Sequence, residues 1–148
     1  MRRLRRRVQG EEGSTLLLTI FYGFLALVVV LIVVAATSLY LERKKLFTLA
    51  DGAALAGAES FALDAVAIDS GELHAALTTP EIRAAATAYL AAAPHPELES
   101  VTLTRAETVD GQSATVSLRA WWRPPVLTLF VPDGLPVEVT AVARSVFH

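Results

Sequence analysis

Three histidines and one cluster of carboxylates are the residues of this chain whose types suit chemistry. His74, His95 and His148 are scattered without metal-ligand spacing, and no HExxH helix, nucleophile elbow or phosphate-cradling glycine loop accompanies them. They read as solvent-exposed side chains. Asp64, Asp69 and Glu72 place three carboxylates within nine residues, the oxygen ligands that calcium takes. They match no EF-hand spacing and read as ordinary loop and helix-end acids. The chain has no cysteine, which excludes disulfides, thiolate metal sites and cysteine nucleophiles together. No catalytic residue, metal or cofactor is expected, and the chain is read as something other than an enzyme.

What must position any function is a membrane span. Twenty-eight consecutive residues, Ser14 to Leu41, are uncharged, and Arg2, Arg3, Arg5, Arg6 and Arg7 precede them. A hydrocarbon core of roughly 30 Å needs about 20 apolar helical residues, so the run is long enough to cross with tilt or to continue as helix beyond the lipid. Sixteen positions between Leu16 and Leu39 are Leu, Ile, Val or Phe, contributing on the order of −5 to −10 kcal/mol gross to insertion. A cleaved secretory signal has an apolar region of only about 7–15 residues, which favours a retained anchor. Five arginines before the span, against Arg43, Lys44 and Lys45 after it, put the N-terminus in the cytoplasm. The division is then a basic leader over 1–14, a transmembrane helix over 15–41 and an extracytoplasmic part over 42–148.

Beyond Lys45 remain 103 residues, enough for one small domain. In it five arginines face twelve acids, a net charge of −7, whereas the whole chain carries only −2. An acidic domain does not suit nucleic acid, which requires a basic surface. The arginine-rich leader fits a topology determinant touching anionic lipid. Arginine outnumbers lysine eleven to two and alanine is abundant, as in GC-rich bacterial genomes.

Helical spacing continues past the membrane through Leu46, Leu49, Ala50, Ala53, Gly57 and Phe61, and predicts one helix from about Thr15 to Ala67. Ala50, Ala54 and Ala58, with Ala53 and Gly57 beside them, make a small-residue face that permits close helix packing. Gly52 and Gly57 each cost roughly 1 kcal/mol relative to alanine in a helix, which points to something packed against them. Asp69, Ser70 and Gly71 read as a break. Thr79 as cap and Pro80 at the first position predict a second helix, Pro80 to about Ala92, stopped by Pro94 and Pro96.

The period then changes to two. Val101, Leu103 and Arg105 form one strand, Ala114, Val116, Leu118 and Ala120 a second, with Asp110-Gly111 as the hairpin signal between them. Val137, Val139, Ala141 and Ala143 form a third, while Val126–Val131 reads equally as strand, helical turn or covering loop. The fold class is α+β: a long N-terminal transmembrane helix continuing as a stalk, a second helix, and a small three-stranded antiparallel sheet. The adjacent Trp121 and Trp122 point to opposite faces of a strand, so one is free for an intermolecular contact.

Gly13, Ser14 and Thr15 at the start of the span, with the run Leu46–Ser60, LFTLADGAALAGAES, resemble the TadE/TadG-like proteins of the tight-adherence (Flp-type) pilus assembly system, particularly the TadG-like N-terminal domain. The matching positions include Asp51, Ala53, Ala54, Leu55, Ala56 and Ala58, and the resemblance covers roughly residues 10–62. It implies a pilin-like or accessory protein of a bacterial cell-surface pilus or related secretion machine. Such a protein sits in the cytoplasmic membrane with its C-terminal domain outside and acts by helix packing and partner contacts. Its expected partners are the bilayer and other pilus-assembly or pilin-like membrane proteins, as a homo- or hetero-oligomer through the N-terminal helix.

Gly10 and Gly13 stand where prepilin-type processing would cut. The fifth residues after them are Thr15 and Leu18 instead of glutamate, favouring an uncleaved TadG-like protein over a processed pseudopilin. Asp51 is a candidate intersubunit contact, pairing with Lys44 or Lys45 of a neighbour. The competing reading is a single-span binding or adaptor module with an acidic ectodomain.

Overall fold

The computed structural model describes residues 12–60, 66–69, 72–75, 77–124 and 132–144. In order they form α1 (Glu12–Ala58), β1 (Val66–Asp69), β2 (Glu72–Ala75), α2 (Thr79–Ala92), β3 (Glu99–Glu107), β4 (Ser113–Trp122) and β5 (Leu135–Arg144). The chain divides between Ser38 and Leu39 into two compact units. Gly10 and Val126–Val131 lie outside the described residues, as do Phe61, Asp64 and His148.

The first unit is the apolar stretch of α1. Its leucines, valines, isoleucines and phenylalanines are largely exposed, and none of its most apolar window is covered by protein. An uncovered apolar surface of this extent requires lipid or a protein partner. The Thr19 hydroxyl donates to the Thr15 carbonyl at 2.8 Å, satisfying a polar group within the stretch.

In the second unit α1 changes from uncovered to one-sided. Leu46, Leu49, Ala50, Ala53, Ala54, Gly57 and Ala58 are buried, the helical face expected of an element packed on a core. The helix ends at Ala58, short of the expected Ala67. The Ser60 hydroxyl donates to the Gly57 carbonyl at 2.8 Å, and the Glu59 amide makes the last helical bond, 3.0 Å to the Leu55 carbonyl. Val66–Asp69 is instead a strand paired antiparallel with β2, Asp69 opposite Glu72. The expected break at Asp69–Gly71 therefore falls between two paired strands that periodicity did not anticipate, and Ser70 and Gly71 lie outside the described residues. Four-residue strands are too short for a period of two to emerge.

The second helix starts one residue early, with extended Thr78 as its cap in place of Thr79. The Glu81 carboxylate reaches back to the Thr78 amide (3.3 Å) and hydroxyl (2.7 Å). This leaves the Thr79 hydroxyl to accept the Thr108 amide at 3.4 Å, while the Leu77 amide donates to the Gly111 carbonyl at 2.8 Å. Both bonds tie the start of α2 to the β3–β4 turn. Ile82 and Ala86 face the core.

The three-stranded sheet is antiparallel in the order β3-β4-β5. Ala114, Val116, Leu118, Ala120 and Trp122 of β4, with Val137, Val139 and Ala141 of β5, form its buried face. The opposite face is polar. Arg119 pairs with Glu138 at 2.9 Å, and Ser117 and Thr140 share a 2.8 Å hydrogen bond. Strand β3 departs from simple alternation. Leu103 lies opposite Leu118 and Arg105 opposite Ser117, so the register slips at Thr104. Arg105 thereby leaves the side of Val101 and Leu103, and Ala106 takes the core position opposite Val116.

Asp110-Gly111 does mark the β3–β4 turn, although the connection runs over residues 108–112 rather than two. Gly111 has φ +70°, which glycine adopts without strain. Asp110 organises the turn, accepting the Gln112 amide at 2.9 Å and the Ser113 amide and hydroxyl at 2.7 and 2.8 Å. These donors hold its carboxyl down at about 2 from the usual 3.8. The stabilisation is present above the usual value and lost as pH falls through about 2. Asp110→Asn should lower the melting temperature at neutral pH by the equivalent of about 1 kcal/mol or less, given solvent screening. In melts followed by circular dichroism, its deficit should vanish between pH 4 and pH 2.

Candidate functional site

The small-residue face of α1 is occupied within the protomer. A Cβ on Gly57 would lie 3.0 Å from Ile82 of α2 and 3.3 Å from the Ala114 methyl of β4, and one on Gly52 would meet the Tyr89 ring. Ala50, Ala53, Ala54 and Ala58 are almost wholly buried. The face read as a surface between neighbouring subunits is in this fold the seat of the chain's own α2 and sheet. That accounts for both helix glycines: a β-carbon at Gly57 would press on Ile82 and Ala114, and one at Gly52 would have to displace the Tyr89 ring.

Where α1 enters the head, the Lys45 ammonium pairs with the Glu97 carboxylate. This hydrogen-bonded pair raises Lys45 and lowers Glu97 relative to their ordinary pKa values. Glu42, one turn earlier on α1, is shifted upward by partial burial, against the attraction of Lys45. Lys45 thus has a partner within its own chain. Asp51 itself is exposed, and so is Lys44.

Beside this pair lies an open cavity of about 570 Å³, lined by Lys45, Thr48 and Leu49 of α1, Tyr89 of α2 and residues 93–98. The wall is built by the end of α2: Ala93 donates to the Tyr89 carbonyl at 2.8 Å, and two prolines then prevent further helix. His95 Nδ1–H donates to the Ala93 carbonyl at 2.8 Å, the only polarity a carbonyl permits. Sequence reasoning passed over this site, taking Pro94 and Pro96 only as a helix stop and His95 as an isolated side chain. The signal available was a Pro-His-Pro-Glu run between helix and strand.

The tryptophans separate as the strand period requires. Trp122 is 7% exposed and belongs to the core, so it offers no surface to a partner, whereas Trp121 is 38% exposed opposite Glu99 and Pro136. Glu99 also pairs with Arg123 at 3.1 Å. Asp69 and Glu72 are register partners in the β1–β2 pair, as are His74 and Ala67. Among the described residues no three histidine or carboxylate side chains converge.

An N-terminal helix long and apolar enough to cross a membrane, with a small α+β head in the same chain, is the layout of a single-pass membrane protein. Residues 13–60 match the family model Tad, described as "Putative Flp pilus-assembly TadE/G-like". The match falls on the block that carries the sequence resemblance and spans nearly all of α1, so the likeness to that family lies in this helix. The head from residue 61 onward lies outside it. No curated protein and no solved structure matches the chain.

Proposed function

We propose that this chain is an accessory, pilin-like component of a bacterial Flp/Tad-type pilus assembly or related secretion system, working by association and not by catalysis. The observation that carries this reading is the coincidence of the TadE/G-like match with a helix whose apolar stretch is uncovered. Five arginines before the span favour a cytoplasmic N-terminus, which supports an acidic head on the far side of the membrane in this reading. Because the small-residue face of α1 is spent on the head, partner contacts in this reading fall to the span itself and to exposed groups such as Asp51 and Trp121. The full leader, with Gly10 and Gly13, stays attached in this reading.

The test is made in a strain carrying the assembly genes. Deleting this gene should abolish or sharply reduce surface pili, and the C-terminally tagged full chain should restore them and co-purify assembly proteins. Its intact mass should retain residues 1–13. Normal piliation without co-purification would refute the pilus role, while loss of residues 1–10 or 1–13 would move the chain to the processed subunits of the filament. Asp51→Asn should reduce recovery of the complex, and unchanged recovery would remove Asp51 from the contact. The cavity beside Lys45 favours a second reading, a membrane-anchored binding module.

A further inference from the structure

The cavity beside Lys45 sits at a defined distance from the end of the apolar run. Leu41 is the last uncharged residue, Tyr40 before it is exposed as an interfacial aromatic, and Lys45 follows four residues later on the same helix. Four residues advance about 6 Å along a helix axis. The polar layer on each side of a bilayer is roughly 5–8 Å thick. Lys45 therefore follows the last residue of the apolar run by no more than the thickness of one headgroup layer along the helix.

The lining divides by charge. Lys45 supplies a cation and Glu97 an anion, and this pair is exposed on both sides, 49% and 66% by side chain. An exposed ion pair contributes little by itself, so a ligand presenting both charges can open it at small cost. With Nδ1–H donated to the Ala93 carbonyl, Nε2 is the polar atom that the His95 ring has left for a ligand. Leu49, Pro94 and Leu98 give the apolar wall on which a glycerol backbone can lie. The volume is that of a small-molecule site.

We propose that this cavity holds the headgroup of a zwitterionic phospholipid bearing a primary ammonium, with its phosphate on Lys45 and its ammonium on Glu97 and His95. A lipid with a phosphate but no ammonium would satisfy Lys45 and strand Glu97, with Glu42 and Glu99 adding further negative charge nearby. A trimethylated choline carries the charge but has no N–H to donate. The inference rests on α1 crossing the membrane and is independent of the pilus role.

The full chain is to be reconstituted with equal amounts of phosphatidylethanolamine, phosphatidylcholine and phosphatidylglycerol of identical acyl chains. Retained lipids are then counted by native mass spectrometry. Phosphatidylethanolamine should be retained about ten-fold over each of the others, the size of one charge-assisted hydrogen bond. Lys45→Ala and Glu97→Gln should each erase that preference, as should Thr48→Phe, which fills the cavity and leaves the ion pair intact. Melting of the variants by circular dichroism separates lost binding from lost folding. Free phosphoethanolamine in excess should displace the lipid only weakly, because it lacks the glycerol contact. Equal retention of the three lipids, a preference for phosphatidylglycerol, or an unchanged preference in all folded variants would overturn the proposal.

Discussion

Leu118→Ala should strongly destabilise the head while the anchor still enters the membrane. Leu118 is fully buried in the central strand of the three-stranded sheet, opposite Leu103 on one side and Val139 on the other. Truncating a leucine in such a position costs about 2–5 kcal/mol, the range reflecting how far neighbours collapse into the space. Strand β4 is flanked on both sides, which limits that collapse and favours the upper part of the range. A single domain of this size is stabilised by only about 5–15 kcal/mol in all, so the loss is a large share. The apolar stretch of α1 takes no burial from the head, and insertion should be unaffected. Melting by circular dichroism and protease resistance of the C-terminal part should fall, while membrane fractionation stays as in the parent chain.

Gly57→Leu should have a comparable effect for the opposite reason, overfilling. The added β-carbon alone would press to 3.0 Å from Ile82 Cγ2 and 3.3 Å from the Ala114 methyl, and the rest of a leucine has nowhere to go without moving α2 or β4. Forcing extra methylenes into a packed core costs typically about 1–3 kcal/mol, sometimes more. Gly57→Ala is the informative partner: helix propensity gains about 1 kcal/mol, and the tight contact takes it back. Near-neutral stability for alanine with a large loss for leucine would establish direct apposition of α1 on α2 and the sheet. Equal tolerance of both would mean that the face is open to other subunits.

Much of this architecture was legible in the chain because its signals are local and repetitive. An uncharged run of 28 residues specifies a membrane helix by length and composition alone. Alternation over Ala114–Ala120 and Val137–Ala143 specifies half-buried strands, and the expected core positions of both are the buried ones apart from the half-exposed Ala143. The end of α1 was not legible, since alanine-rich sequence continues past Ala58 with helical spacing while the terminating bond comes from Ser60. Nor was the bulge at Thr104, which exchanges Arg105 for Ala106 on the core side through a slip against β4.

By itself, then, the sequence determined the apolar span, the helix–helix–sheet order, the acidic character of the head and the likeness to TadE/G-like proteins, because composition, period and motif are properties of neighbouring residues. Tertiary structure alone decided what the small-residue face touches, that Lys45 is held by Glu97 fifty-two residues away, and that this pair borders a cavity. A row of alanines and glycines says that something approaches closely, but whether that neighbour is another subunit or the chain's own second helix depends on where the backbone returns. Contacts between distant segments are set by the packing of the whole domain, and no local pattern carries them.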